Sequence, residues 1–81
     1  MQADEVKGLI EKGFSDAEVF VKGEGDHFEA IVISASFEGE SRVRQHQRVY
    51  QSLGDLMQAE IHALALFTYT PDQWAAHRRV Q

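Results

Sequence analysis

The absence of cysteine is what most constrains this chain. With 81 residues and no thiol, it can neither staple itself with disulfides nor hold a metal on thiolates of its own. A chain this short buries only roughly 60% of the surface its unfolded form exposes, so apolar packing around one core must carry the fold. The length is below that of a typical domain, and residues 1–81 are expected to form a single one. Hydrophobic residues make up 43% of the chain and charged residues 26%, which supplies material for such a core and is unlike a disordered segment.

The apolar runs are short, residues 63–67 being among the longest, and Met1-Gln2-Ala3-Asp4-Glu5 is acidic with no apolar stretch behind it. Neither a membrane span nor a signal peptide is expected, and the cytoplasm is the default location.

From Asp4 to Phe14 the residues Val6, Leu9, Ile10 and Phe14 fall at helical spacing, with two acids where the helix dipole favours them; a first helix should end near Gly13. Glu18 to Lys22 is β-branched and aromatic, Gly23-Glu24-Gly25-Asp26 carries turn chemistry, and His27 to Ser34 is again strand-like. These form a hairpin. Val43, Tyr50, Leu53 and Leu56 or Met57 mark an apolar stripe interrupted near Gly54, which fits two consecutive short helices. His62 to Tyr69 returns to a strand. Thr70-Pro71-Asp72-Gln73 then has the marks of a helix start: an N-cap, a proline at the first helical position and a glutamine to close the capping box. The last helix should reach about Arg78. The resulting order, αββααβα, is an α+β fold with helices expected on one face of a mixed three-stranded sheet.

A net charge of −5 argues against a protein whose main business is binding polyanions non-specifically. The charge is uneven, however. Residues 1–40 hold ten acids and three lysines, whereas residues 41–81 hold three acids and five arginines. Arg42, Arg44 and Arg48, with His46 between them, form a basic cluster in which Arg44 and Arg48 lie one helical turn apart. That face could contact phosphates or an acidic partner, or simply be solvated. Nucleic-acid modules with this element order clamp the backbone with a Gly-x-x-Gly loop between consecutive helices, and the corresponding stretch here, Tyr50 to Gly54, lacks it.

Of the four histidines, His62 opens the third strand among small and apolar residues that would compete little for its ring. It could ligate a metal through a neutral nitrogen, or be a strand-end histidine bonded to backbone or water. His27, at the hairpin turn, is a candidate second ligand or an exposed loop residue without a role. Glu24, Asp26 and Glu29 near it read as solubilising. His46 sits on or beside the apolar stripe and is expected to be half-buried. His77, beside Arg78 and Arg79, is explained by the dipole at a helix C-terminus. No nucleophile with a base, no glycine-rich phosphate loop and no His-Glu-x-x-His pattern is present, so an enzyme is not expected.

Four segments carry a likeness to a known family: Asp26-His27-Phe28, Phe37-Glu38-Gly39, Ser41 to Tyr50, and above all Ile61-His62-Ala63-Leu64-Ala65-Leu66-Phe67-Thr68-Tyr69-Thr70-Pro71-Asp72-Gln73-Trp74. With them the chain resembles the BolA family, most closely its short IbaG-like branch, over nearly its whole length. The resemblance implies a fold related to the type II KH domain. It also implies a partner, a monothiol glutaredoxin that shares a [2Fe–2S] cluster, with His62 as the shared ligand and His27 as the nearest match to a second. A chain without cysteine cannot supply the thiolates itself, so a glutaredoxin cysteine and glutathione would complete the cluster. The chain alone would then be a monomer, and a heterodimer with its partner. Some family members are described as transcription regulators, which keeps nucleic-acid binding through Arg42, Arg44, His46 and Arg48 as an alternative.

Overall fold

Val6 and Ile10, one helical turn apart, are both fully buried on helix α1 (Ala3–Lys12) in the computed structural model of the chain, which describes residues 1–79. The helix starts on a capping box in which the Gln2 N–H donates to the Glu5 carboxylate at 2.9 Å. Strand β1 (Glu18–Glu24) turns into β2 (His27–Ile33) through the two residues Gly25 and Asp26. Gly25 has φ of +68° and Asp26 a negative φ, the sign pattern of a type II′ turn, whose twist matches that of the flanking strands.

A single 3-10 turn (Ala35–Phe37) leads to helices α2 (Arg42–Leu53) and α3 (Leu56–Ala59), strand β3 (Ala63–Tyr69) and helix α4 (Pro71–Arg79). The order is the expected αββααβα. The start of α4 is as the sequence indicated: Thr70 N–H donates to the Gln73 side chain at 2.9 Å, and Gln73 N–H to the Thr70 hydroxyl at 3.2 Å.

The sheet runs β1-β2-β3, with β2 antiparallel to β1 and parallel to β3. Register sorts its side chains into two faces. Val19, Val32 and Thr68 form one inward row and Val21, Ala30 and Leu66 the next, packed with Val6, Ile10, Phe14, Phe37, Val49 and Leu53 into one core. The opposite face carries Phe20, Ile31 and Phe67 in one row and Glu24, His27 and Ala63 in another.

Two expectations need correction. The helices do not all lie on one face: Trp74 of α4 stacks on Phe20 with centroids 6.2 Å apart and lies 5.2 Å from the ring of Tyr69, both outward residues. The aromatic and β-branched residues on that side need a cover, and α4 supplies it at one end, leaving Ile33 only 5% exposed. The buried stripe of α2 is also differently phased. Gln45, Val49 and Leu53 face the core, while Val43 is 68% exposed and Tyr50 is exposed beside it. The helix turns inward on a glutamine, which satisfies buried polar groups that a valine could not reach.

Candidate metal-ligand site

His27 and His62 stand side by side at the end of the sheet where β2 and β3 begin, their ring centroids 5.4 Å apart and inclined at 54°. The two sit there for local reasons. His27 is the first residue of β2, directly after the tight turn, and its register partner on β3 is Ala63. The preceding strand approaches closely: Gly23, opposite Phe28, has φ of +126°, and its backbone packs against the carbonyl of His27. His62 comes one residue before β3. Its neighbour Ile61 is 2% exposed and anchors the segment in the core, and the Ile61 N–H closes the end of α3 on the Leu56 carbonyl at 2.8 Å. His62 itself is exposed, as is His27.

Asp26 joins the two. Its main-chain carbonyl accepts from His62 N–H at 2.7 Å and Ala63 N–H at 3.0 Å, and its carboxylate lies 2.6 Å from His27 Nδ1. The His27 hydrogen bond holds the Asp26 carboxyl below the usual carboxylate range, partly offset by desolvation, while the charge of His27, a hydrogen bond from the main chain of Asp26 itself and the charge of His62 add to the lowering. Reading Asp26 as merely solubilising therefore missed its position; the signal available was an acid immediately before a candidate ligand.

Two imidazoles bound through one nitrogen each to the same metal, at about 2 Å, bring their rings to about 5 Å. The His27–His62 spacing fits such a use. Among the described residues no group of three or more histidines, cysteines, aspartates or glutamates comes together to hold a metal ion, so any metal held by the pair would need further ligands from elsewhere.

The basic cluster lies at the far end of β3. Arg42 and His46 border a shallow depression over Leu66, Phe67, Thr68 and Tyr69. Arg42 and Arg44 are exposed, with Arg44 Nε 3.8 Å from Glu40, whereas the guanidinium of Arg48 is committed to Glu40 at 2.6 Å and to Ser36. His46 is half-buried as expected, and burial, followed by the charge of Arg42, pushes its pKa down. His77 stacks on Trp74 with centroids 5.6 Å apart and approaches Tyr69, so it belongs to the aromatic cover of the sheet. The histidine pair thus stands where β3 begins, and Arg42 and His46 lie beside the later half of the same strand, Leu66 to Tyr69.

Comparison with known proteins adds to this geometry. A family profile described as BolA-like protein matches residues 10–73. The acid stress protein IbaG of Escherichia coli K12 is 36% identical over 81 aligned residues, which cover 99% of this chain and 96% of that protein. The DNA-binding transcriptional regulator BolA of Haemophilus influenzae is 42% identical over 55 residues, 68% of this chain but only 53% of that protein. The structure of a BolA protein homologue from Coxiella burnetii superposes with a TM-score of 0.83 at 43% identity, covering 93% of this chain and 97% of the other. On sequence and on fold alike, the chain belongs to the BolA family.

Proposed function

We propose that this protein is not an enzyme but a cytoplasmic partner of a monothiol glutaredoxin, lending His62 and His27 to a [2Fe–2S] cluster that a glutaredoxin cysteine and glutathione complete. The observation that carries this reading is the exposed His27–His62 pair, its rings 5.4 Å apart at one end of the sheet, in a chain with no cysteine. Two histidines on one iron are an established alternative to two thiolates and raise the reduction potential of the cluster. Protonated imidazole cannot ligate, so assembly should weaken in acid. A cluster held between two proteins suits handover or sensing of iron–sulfur centres.

The test is visible absorption and circular dichroism of the protein mixed with a cluster-loaded monothiol glutaredoxin and glutathione. A new spectrum, lost in His62→Ala and altered in His27→Ala, is the expected result. A wild-type mixture whose spectrum is the sum of its parts would remove the reading for that glutaredoxin.

A second reading, nucleic-acid binding, draws on the names of the BolA regulators among the relatives and on the exposed Arg42 and Arg44. The commitment of Arg48 to Glu40 and the net charge of −5 weigh against it. Its test is the pair Arg42→Ala and Arg44→Ala, which should weaken binding to DNA and flatten its salt dependence if those side chains meet phosphates.

A further inference from the structure

We propose that Asp26 is the positioning residue of the histidine pair, its carboxylate fixing which nitrogen of His27 is free to ligate and its main-chain carbonyl fixing where His62 stands. The inference rests on the reading of His27 and His62 as ligands, and it gives Asp26 a role that the sequence, where it read as solubilising, did not suggest.

Donors and acceptors fix the tautomer of His27. An exposed aspartate is ionised at neutral pH and can only accept hydrogen bonds. With its oxygen 2.6 Å from His27 Nδ1, that nitrogen must carry the proton. Nε2 is then the nitrogen with a lone pair, and it is the one remote from the backbone. Free histidine prefers the opposite tautomer, with the proton on Nε2, so the carboxylate reverses an intrinsic preference. A carboxylate hydrogen-bonded to the far nitrogen of a ligating imidazole also fixes the ring plane and raises its basicity.

The main chain of the same residue serves the other histidine. One carbonyl oxygen receives both the His62 and the Ala63 N–H, at 2.7 and 3.0 Å, so the start of β3 is tied to the hairpin turn. Because the turn has only two residues, the reach of Asp26 to both histidines has little slack. The side-chain and main-chain contributions are separable: Asp26→Ala removes the carboxylate and keeps the carbonyl.

The deciding measurement uses the free, full-length protein. Long-range proton–nitrogen correlation spectra of its histidine rings, recorded above the ordinary histidine titration range, report the tautomer of each ring. In the wild type His27 should be mainly protonated on Nδ1; in Asp26→Ala it should revert to mainly Nε2, with His62 unchanged, and Asp26→Asn, which keeps an acceptor oxygen, should fall between. A wild-type His27 protonated on Nε2, or a tautomer ratio indifferent to Asp26→Ala, overturns the proposal. With cluster-loaded glutaredoxin, Asp26→Ala should bind the cluster about 10- to 100-fold more weakly and change the spectrum in the manner of His27→Ala rather than His62→Ala. If wild-type protein gives no mixed spectrum while the tautomer responds as expected, the shared-cluster reading fails and the role of Asp26 in ordering the histidines stands.

Discussion

The carboxylate of Glu40 lies 2.6 Å from the guanidinium of Arg48, and the two close a bridge between the loop that follows the 3-10 turn and the middle of α2. Arg48 also donates to the Ser36 carbonyl and hydroxyl, both at 3.1 Å, and its guanidinium carbon sits 5.0 and 5.3 Å from the ring centroids of Phe14 and Phe37. Both charged side chains are about a quarter exposed, so water screens the contact only partly. Arg48→Ala should therefore lower the unfolding free energy by about 1.5–3 kcal/mol. Arg48→Lys should recover little of it, because an ammonium cannot reproduce the planar fork that reaches Glu40 and Ser36 together. Arg44→Ala, at an exposed 3.8 Å pair, should cost less than about 1 kcal/mol. Urea unfolding of the three variants checks the ranking, and equal effects at positions 44 and 48 would contradict it.

Gln45 is the one buried polar residue of α2, and it serves three partners. Its carbonyl oxygen accepts from the Thr68 hydroxyl at 2.7 Å, and its amide nitrogen donates to the Glu40 carbonyl at 3.0 Å and, more distantly, to that of Phe37. Gln45→Met, close in volume, should cost about 1–3 kcal/mol because it strands the Thr68 hydroxyl and a main-chain carbonyl. Adding Thr68→Val removes one of the stranded groups, so the double variant should be more stable than the sum of the two single changes predicts. Strict additivity in urea unfolding would mean that the 2.7 Å bond contributes nothing specific.

These contacts show why some of the structure was legible in the sequence and some was not. Helix starts, strands and the hairpin are written in local chemistry: the Thr70–Gln73 capping box forms where the residues indicated, and the chain reverses within the expected stretch 23–26, at Gly25 and Asp26, while Gly23 and Glu24 join β1. The phase of α2 was not legible, because a hydrophobic pattern cannot mark Gln45 as an inward position; its burial depends on Thr68, which arrives from a strand 23 residues later. The side of the sheet taken by α4 was equally non-local, since it depends on Phe20 and Tyr69 emerging on the same face. His27 and His62 were each recognisable as candidates, but their adjacency is a product of the parallel β2–β3 register. Asp26 was overlooked because an acid in a turn is ordinary until its partners are known.

Gly23 holds the backbone that carries His27. A Cβ at this position would collide with the His27 carbonyl oxygen and come within 2.9 Å of Phe28 Cα, and φ of +126° is a region that side-chain-bearing residues rarely adopt. Gly23→Ala should therefore destabilise the protein by more than about 1 kcal/mol. The strain falls on the first residues of β2, so the amide resonances of His27 and Phe28 should move while those of α2, on the other side of the core, stay in place. A variant as stable as the wild type would show that the hairpin relaxes without cost.

His46 gives the fold a pH dependence whose sign follows from its surroundings. Burial disfavours the charged ring, and Arg42, one turn earlier on α2, adds repulsion, so the folded pKa lies below the ordinary histidine value of 6.5. The unfolded chain then binds the proton more readily than the folded one, and the His46 contribution to stability rises with pH across the interval between the two pKa values. It is complete above the unfolded pKa and is lost as pH falls through about 6.5 toward the lower folded value. Relative to His46→Gln, the wild type should lose stability as the pH falls through about 6.5, and Arg42→Ala should reduce that loss by removing the second cause. The ring proton resonances of His46 in the folded protein offer the direct check. A titration midpoint below 6.5 that moves up in Arg42→Ala is expected, and a midpoint at or above the ordinary value would mean that the ring is solvated and the helix face it occupies is open.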